Sequence, residues 1–553
     1  MNRMKLNELG HMNNIKERAI RFYQEKPLEF SLLLTFLYAL IVYYGVLHHE
    51  MSRDEIQAWL IAKESGGILD LLKNLKYEGH PGLWHFMLFI ISRFSTDPFF
   101  MQVLHAAIAS LCVFLFVRYS PFGLAFKLLF PFGALPLYHY SVLCRNYSMG
   151  MLFSFAVCVL YGKRFEKFPL IVFFLILLAN SNVYGLMLSG SFMLIFVCEH
   201  FANSLKFTSG KLYSDAPGSE PGRYAMFYPC VLAYVILIAA EIIQLIPPAD
   251  IVMTEFDAGS GFFHLSFVAS RILVAYMPVF AKLAIVNSNF LKLAGALLGL
   301  SLLIFFLAVL RRRIYSFIFL FSSTVSILLV IDLIYFGFFR HHANLFIALL
   351  ASLWIASIYG IGTITDTSIP SQNFGNPDGV HSGRLKTAAD TILLLFFIAH
   401  VIAGVYAYSL DIQKNYSMAK EVSAYVRREG LDALPVIASQ DFAGTSLAGY
   451  MRKKIYYPEI RREGSFTVWN RERASSIDWR RKEKEILNIA TDRTRLEGRE
   501  ELLITNFPLD LKADYARALK DVNIVFLKDF TGGIVFDENY WMYKISPHGS
   551  TRH

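Results

Sequence analysis

The chain has 553 residues, 55% of them apolar and only 18% charged, with a mean hydropathy of +0.42; a soluble multidomain protein is excluded, and the bilayer is its solvent. The formal charge of +9 is spread over loops and a mixed-charge tail and forms no stripe, so nucleic acid is excluded as a partner and the cations read as topology signals. The five cysteines, Cys112, Cys144, Cys158, Cys198 and Cys230, show no CxxC pair and no metal spacing, which excludes a disulfide framework and a zinc site.

Residues 1–27 are polar and net basic, and the first apolar run is followed by His48, His49 and Glu50 with no small-residue cleavage site, so this start reads as a cytoplasmic cap. Apolar runs long enough to span lie near 28–47, 98–117, 122–141, 147–161, 169–182, 183–200, 226–246, 292–310, 314–338, 341–362 and 388–410, about eleven in all. The pair at 169–200 reads as two helices or one long helix broken at Asn180 to Asn182. Lys163, Arg164 and Lys167, and the triple Arg311, Arg312 and Arg313, belong on the N-terminal, cytoplasmic side. That assignment requires 82–95 to lie in the interface, and 262–289 is read the same way. The odd count sends the tail to the outside.

The fold class expected is therefore mainly α: a polytopic membrane helical bundle over 28–410 with a first outer loop at 48–97, followed by a C-terminal soluble α/β domain over 411–553. In the tail, helical patterns at 418–428 and 479–489 alternate with strand-like runs at 435–439, 502–506 and 522–527, and the polar stretch 363–386 reads as a linker.

Four polar clusters fall at the outer ends of the spans. Ser52-Arg53-Asp54-Glu55 follows the first span; it serves either as a helix cap or as a source of the carboxylate that takes a proton from an attacking hydroxyl. Glu78-Gly79-His80-Pro81-Gly82 is a turn whose His80 bonds either a substrate or a loop carbonyl. Arg145, inside Cys144-Arg145-Asn146-Tyr147, either meets a buried or ligand anion, since short outer loops are depleted of Arg, or snorkels to lipid headgroups. Phe339-Arg340-His341-His342 combines a guanidinium fork with imidazole, as a phosphate clamp requires, and its two adjacent histidines cannot share a face.

In this order, an Asp-Glu pair after the first span (Asp54, Glu55), a His-Pro turn after an amphipathic outer loop (His80, Pro81) and an Arg-x-Tyr after the third span (Arg145, Tyr147), the chain resembles the GT-C superfamily of integral membrane glycosyltransferases, the group of protein O-mannosyltransferases and aminoarabinose transferases. The resemblance implies a GT-C-like bundle and an inverting transfer of sugar from a polyprenyl-phosphate donor to a glycan, lipid or protein hydroxyl acceptor. It implies a multi-pass protein of a bacterial inner membrane with a periplasmic tail. Asp54, with Glu55 beside it, carries the catalytic role; Arg145, Tyr147, Arg340 and His341 hold the donor phosphate; His80 and Arg53 touch substrate. No cofactor is implied and no metal is indicated. Two other classes compete: a lipid-linked glycan ligase or polymerase of another fold, and a transporter or flippase, for which Glu241 and Asp332 are the plausible mid-span charges. Asp441 and the stretch 456–469 serve either to bind an acceptor glycan or to build the tail's fold.

Overall fold

The computed structural model describes residues 17–18, 20–208, 224–252, 262–284, 288–359, 377–475, 482–509 and 522–548. The first helix, α1 (Pro27–His48), opens with Pro27 in its first turn, where the missing N–H costs nothing. Its 22 residues rise about 33 Å, enough for a bilayer core. Ser31, Leu34, Tyr38, Val42 and Gly45 face the bundle, while Leu33, Phe36, Leu37 and Leu40 stay exposed on the other side. An apolar residue on both faces is what lipid on one side and protein on the other select.

After α1 the chain forms α2 (Arg53–Glu64), α3 (Ile68–Asn74) and α4 (Leu83–Ser92), then the long α5 (Phe99–Tyr119). The bundle continues with α6 (Tyr147–Tyr161), α7 (Phe168–Ala179), α8 (Val183–Thr208), α9 (Phe227–Leu245), α10 (Phe262–Tyr276), α11 (Asn289–Leu310), α12 (Ile314–Leu333), the short turn Phe339–His342, α13 (Asn344–Ile358) and α14 (Pro377–Gln413). Among the described residues eight helices are long and apolar enough to cross a membrane, so this is a multi-pass membrane protein. The segment Phe339–Ile358 is 89% buried and forms the axis, whereas Phe227–Leu245 is 11% buried and lies at the periphery.

One apolar run differs from the sequence reading. The run at 122–141 is not one helix: a short helix Leu124–Leu129, a 3-10 turn Phe130–Phe132 and a π turn Leu135–His139 replace it, with Pro131 and Pro136 at the breaks. Such unwound backbone is tolerated at membrane depth only when protein covers it. Gly404 of α14 supplies the cover, since a Cβ there would come within 2.7 Å of the Phe132 carbonyl. In the stretch 262–289, read as interfacial, α10 packs along α11 with Ile272, Ala275 and Tyr276 fully buried. The 169–200 region is two helices, and Asn182 caps the second by accepting from the Gly185 N–H at 2.9 Å. Of the linker expected at 363–386, residues up to 376 lie outside the described set, and from Pro377 the chain is already helical.

The tail comprises α15 (Ala419–Arg428), β1 (Val436–Ser439), α16 (Asp441–Met451), β2 (Ile455–Tyr457), β3 (Arg462–Gly464), α17 (Lys482–Glu497), β4 (Glu501–Thr505), β5 (Val522–Phe530) and β6 (Tyr540–Pro547). One sheet of order β3-β2-β1-β4-β6-β5 results, parallel through β2, β1 and β4 and antiparallel elsewhere. β1 and β4 are buried at every position, as strands covered on both faces must be.

The tail is fused to the first loop. α16 packs on α2 so closely that a Cβ at Gly449 would come within 2.3 Å of Ile56 Cγ2. Gln57 of α2 reads the backbone of Thr467 as a strand would, donating to its carbonyl at 2.7 Å and accepting from its N–H at 3.0 Å. Gly449→Ala is expected to destabilise the protein by about 1–3 kcal/mol through overpacking. A thermal melt in detergent checks it: Ile56→Ala in the same chain should return part of the loss, and strictly additive losses would rule out this contact as the cause.

Candidate functional site

At α2 the helix is started by a capping box in which Glu55 accepts from the Ser52 N–H at 2.9 Å. Successive residues on a helix diverge by about 100°, so Asp54 and Glu55 cannot serve one cavity. Glu55, 1% exposed, turns inward. It also accepts from the Cys144 N–H at 2.6 Å and the Ser52 hydroxyl at 3.0 Å, and pairs with His49 at 3.1 Å. His49 in turn meets Asp411, at the end of α14, at 2.8 Å. Expected beside Asp54 in a catalytic role, Glu55 is instead the knot that ties the first loop to the 144 turn and the last membrane helix.

Asp54 faces the other way, its side chain 42% exposed. Arg340 Nη2 donates to its Oδ2 at 2.8 Å and Arg145 Nη1 stands 3.9 Å from the same oxygen. Arg145 Nη1 also donates to the Asp54 backbone carbonyl, and Arg145 Nη2 lies 3.4 Å from His80 Nε2. The three residues that the sequence left 91 and 286 positions apart, Arg145 and Arg340 relative to Asp54, thus meet at one end of the bundle together with His80. Because a guanidinium only donates, His80 Nε2 must accept, and its proton sits on Nδ1. Among the described residues His80 Nδ1 is buried without a hydrogen-bond partner, and so are Arg340 Nε and the Tyr147 hydroxyl.

Tyr147 stacks on Tyr140 at 5.8 Å and meets the edge of His341 at 5.1 Å, so it lines the wall behind Arg340. The Tyr140 hydroxyl donates to the Arg340 carbonyl at 2.7 Å and fixes that backbone. His341 itself accepts from the Phe338 N–H at 2.6 Å and touches the tyrosines, without reaching Asp54. His342 points elsewhere, toward Phe336. Arg53, expected at the substrate, is drawn to the tail: Nη1 pairs with Asp537 at 2.6 Å, its backbone N–H donates to Glu538 at 2.9 Å, and its Nε remains 3.9 Å from Asp54. Asp441 is likewise committed, held by both forks of Arg473 at 2.6 and 2.8 Å and 2% exposed.

Charge decides what this arrangement can do. Enclosure works to raise the Asp54 carboxyl, but Arg145, then Arg340, Arg53 and His80 outweigh it and hold it down at about 2. Burial, helped by Arg145, pushes His80 down to about 3, so it is neutral at pH 7. With Arg53 matched by Asp537 and the buried Glu78 protonated, two guanidiniums face one carboxylate and one positive charge is left over. A site of that kind takes a monoanion.

Glu78 stands out in the sequence only as part of the turn that carries His80. Burial, against Gln57 and Arg145, pushes its carboxyl up to about 7, the range in which a carboxylate exchanges protons most readily. Gln57 donates to it at 2.8 Å. Its signal in the sequence was position alone, two residues before His80 in the same turn. Among the described residues no group of three His, Cys, Asp or Glu converges as metal ligands. The chain matches no protein-family model, and neither a curated protein nor a solved structure is significantly similar to it.

The knot behind Asp54 has its own titration. Burial opposes charge on His49, but Glu55 and then Asp411 outweigh it and lift its pKa to about 10. A folded pKa above the ordinary histidine value gives stabilisation that is complete below about pH 6.5 and lost as pH rises through about 10. Melting temperature in detergent is therefore expected to fall from about pH 7 to pH 10, more steeply in the native protein than in His49→Gln. Parallel curves for the two would remove His49 from the account.

Proposed function

We propose that this protein is an inverting glycosyltransferase of the integral-membrane GT-C type, moving a sugar from a polyprenyl-phosphate-linked donor to a hydroxyl acceptor on the outer face of a bacterial inner membrane. The basic loops Lys163–Lys167 and Arg311–Arg313 then lie in the cytoplasm with the N-terminus, and the tail lies outside. One observation carries the reading: Asp54 under Arg145 and Arg340, with one uncompensated positive charge, at the end of a membrane bundle. A sugar phosphodiester carries the single negative charge that this surplus lacks, and its hydrocarbon anchor suits entry between helices.

In the reaction, the acceptor hydroxyl gives its proton to the carboxylate as its oxygen bonds the anomeric carbon. The bond from that carbon to the phosphate oxygen breaks on the opposite face, and its electron pair leaves with the polyprenyl phosphate. The charge growing on that oxygen is met by Arg145, Arg340 and the unpartnered Tyr147 hydroxyl. A carboxyl at about 2 is a weak base, so the donor has a second task. Its phosphate takes over Arg340, which frees Asp54 and lets its pKa climb only when the donor is bound. His80 Nδ1–H offers a donor to a sugar hydroxyl. Arg53 and Asp537 bring the tail to the rim, where the acceptor arrives.

The test is release of free carrier phosphate from purified protein given different polyprenyl-phosphate sugars. Asp54→Asn is expected to lower kcat by about 10²-fold or more while donor binding persists. Arg340→Gln and Arg145→Gln are each expected to cost about 10²-fold in kcat. A D54N variant with near-native turnover sinks Asp54 as the base; if Glu78→Gln instead erases a rate limb centred near pH 7, Glu78 holds that role. Failure of every polyprenyl-phosphate sugar to turn over sinks the transferase reading itself.

A further inference from the structure

Arg271 lies within α10, only 1% exposed, on a helix that is otherwise almost wholly apolar. Among the described residues no carboxylate pairs with it. Its Nε donates to the Phe267 carbonyl one turn back at 3.1 Å, and its Nη2 to the Ser270 hydroxyl at 3.1 Å. The guanidinium covers the stacked rings of Phe267 and Phe336, 4.1 and 5.0 Å from their centroids. None of these groups carries negative charge. The acid of the neighbouring helix α12, Asp332, is already engaged by His264 at 2.6 Å. The titratable group on the facing turn, His342, donates from Nε2 to the Phe336 carbonyl at 2.8 Å and adds no anion. An arginine is always charged, and a buried charge persists only with a counter-charge or a ligand that supplies one.

A second cation stands at the same place. Lys292 of α11 is 5.1 Å from the centroid of the Phe267 ring that Arg271 also covers. Two cations therefore share one aromatic ring with no acid between them. The close approach of α11 is made by glycines: a Cβ at Gly299 would come within 2.9 Å of the Leu273 backbone nitrogen, and one at Gly295 within 3.3 Å of Ser270 Cβ. Where the helices part, a shallow recess is lined by Ser270 and Lys292 and by the apolar Leu273, Val274 and Leu291, with the Arg271 guanidinium standing behind the Ser270 hydroxyl to which it donates. It is polar and cationic at one end and oily along its walls, which is the pattern of an amphiphile with an anionic head.

We infer that Arg271, Ser270 and Lys292 form an anion site for the phosphate headgroup of a net-negative membrane lipid, whose chains lie along Leu273, Val274 and Leu291. The site is distinct from the Asp54 centre: the turn Phe339–His342 sends Arg340 to Asp54 and His342 to the Arg271 side. It does not rest on the transferase reading. Binding of an anion to the folded state raises its melting temperature by mass action.

The experiment is a thermal melt of the full-length protein in nanodiscs of phosphatidylcholine alone and of phosphatidylcholine with phosphatidylglycerol, and in detergent with inorganic phosphate. Phosphatidylglycerol is expected to raise the melting temperature of the native protein and of Arg340→Gln by about 2 °C or more. That rise is expected to vanish in Arg271→Gln, to shrink in Lys292→Gln, and to return in part in Arg271→Lys. Inorganic phosphate is expected to give no comparable rise; a rise that it does give, and that Arg271→Gln loses, assigns the site to free phosphate and overturns the lipid. A full phosphatidylglycerol response in both Arg271→Gln and Lys292→Gln, or its loss in Arg340→Gln alone, overturns the site. Should Arg271→Gln fail to fold, the comparison of Lys292→Gln with Arg271→Lys decides the matter by the same criteria.

Discussion

The surplus of positive charge at one end of the bundle is the constraint around which the rest is arranged. Arg145 and Arg340 stand over a single carboxylate, and each is mostly enclosed, at 16% and 15% side-chain exposure. In so poorly solvated a place the guanidiniums cannot be neutralised by water alone, and the attraction between them and any anion is several times stronger than at an open surface. The pair also sets the state of Asp54, which stays ionised for as long as they hold it. Geometry and protonation are thus one property of the site.

Holding three charged residues together requires that their backbones be fixed from behind. Glu55 does this from the position next to Asp54, since its oxygens reach His49, Ser52 and Cys144 and, through His49, Asp411. The turn that carries Arg145 begins one residue after the N–H that Glu55 binds. Tyr140 fixes the Arg340 carbonyl, and Asn344 donates to the His341 carbonyl at 3.0 Å. Two neighbouring carboxylates therefore differ in what they face: the inner one ties the framework together, and the outer one faces the two guanidiniums. The tail adds a third constraint. Glu538, pushed up to about 7 by burial, accepts from Ser417, Ser446 and the Arg53 N–H, so the first loop is tied to the turn before the last strand.

The turn before α13 shows how a four-residue element can serve two places. Arg340 faces Asp54 and His341 the tyrosines, while His342 faces Phe336 and Arg271. Gly337, at φ +72°, makes the bend possible, since a Cβ there would come within 2.7 Å of the His341 ring. The unwound stretch between Leu129 and Tyr140 has a similar part, bringing Tyr138 and Tyr140 to the end of the bundle by a path that a straight helix would not take.

Hydropathy by itself determined that the chain crosses a membrane many times and ends in a mixed tail, because transfer of apolar and charged groups between water and lipid is a local free energy, read segment by segment. The same logic exposed Asp54, His80, Arg145 and Arg340, which are costly where apolar runs end. Three things were decided only by tertiary packing. The inward turn of Glu55 depends on which side of α2 meets the bundle, and that side is chosen by α4 and α16, not by α2. The break at 130–139 is invisible to composition, since Phe130, Pro131 and Leu135 are as oily as a span. Arg271, hidden in an apolar helix, and Glu78, raised by its burial, acquire meaning only from neighbours distant in the chain, because charge is judged by what surrounds it in space and sequence carries no distances.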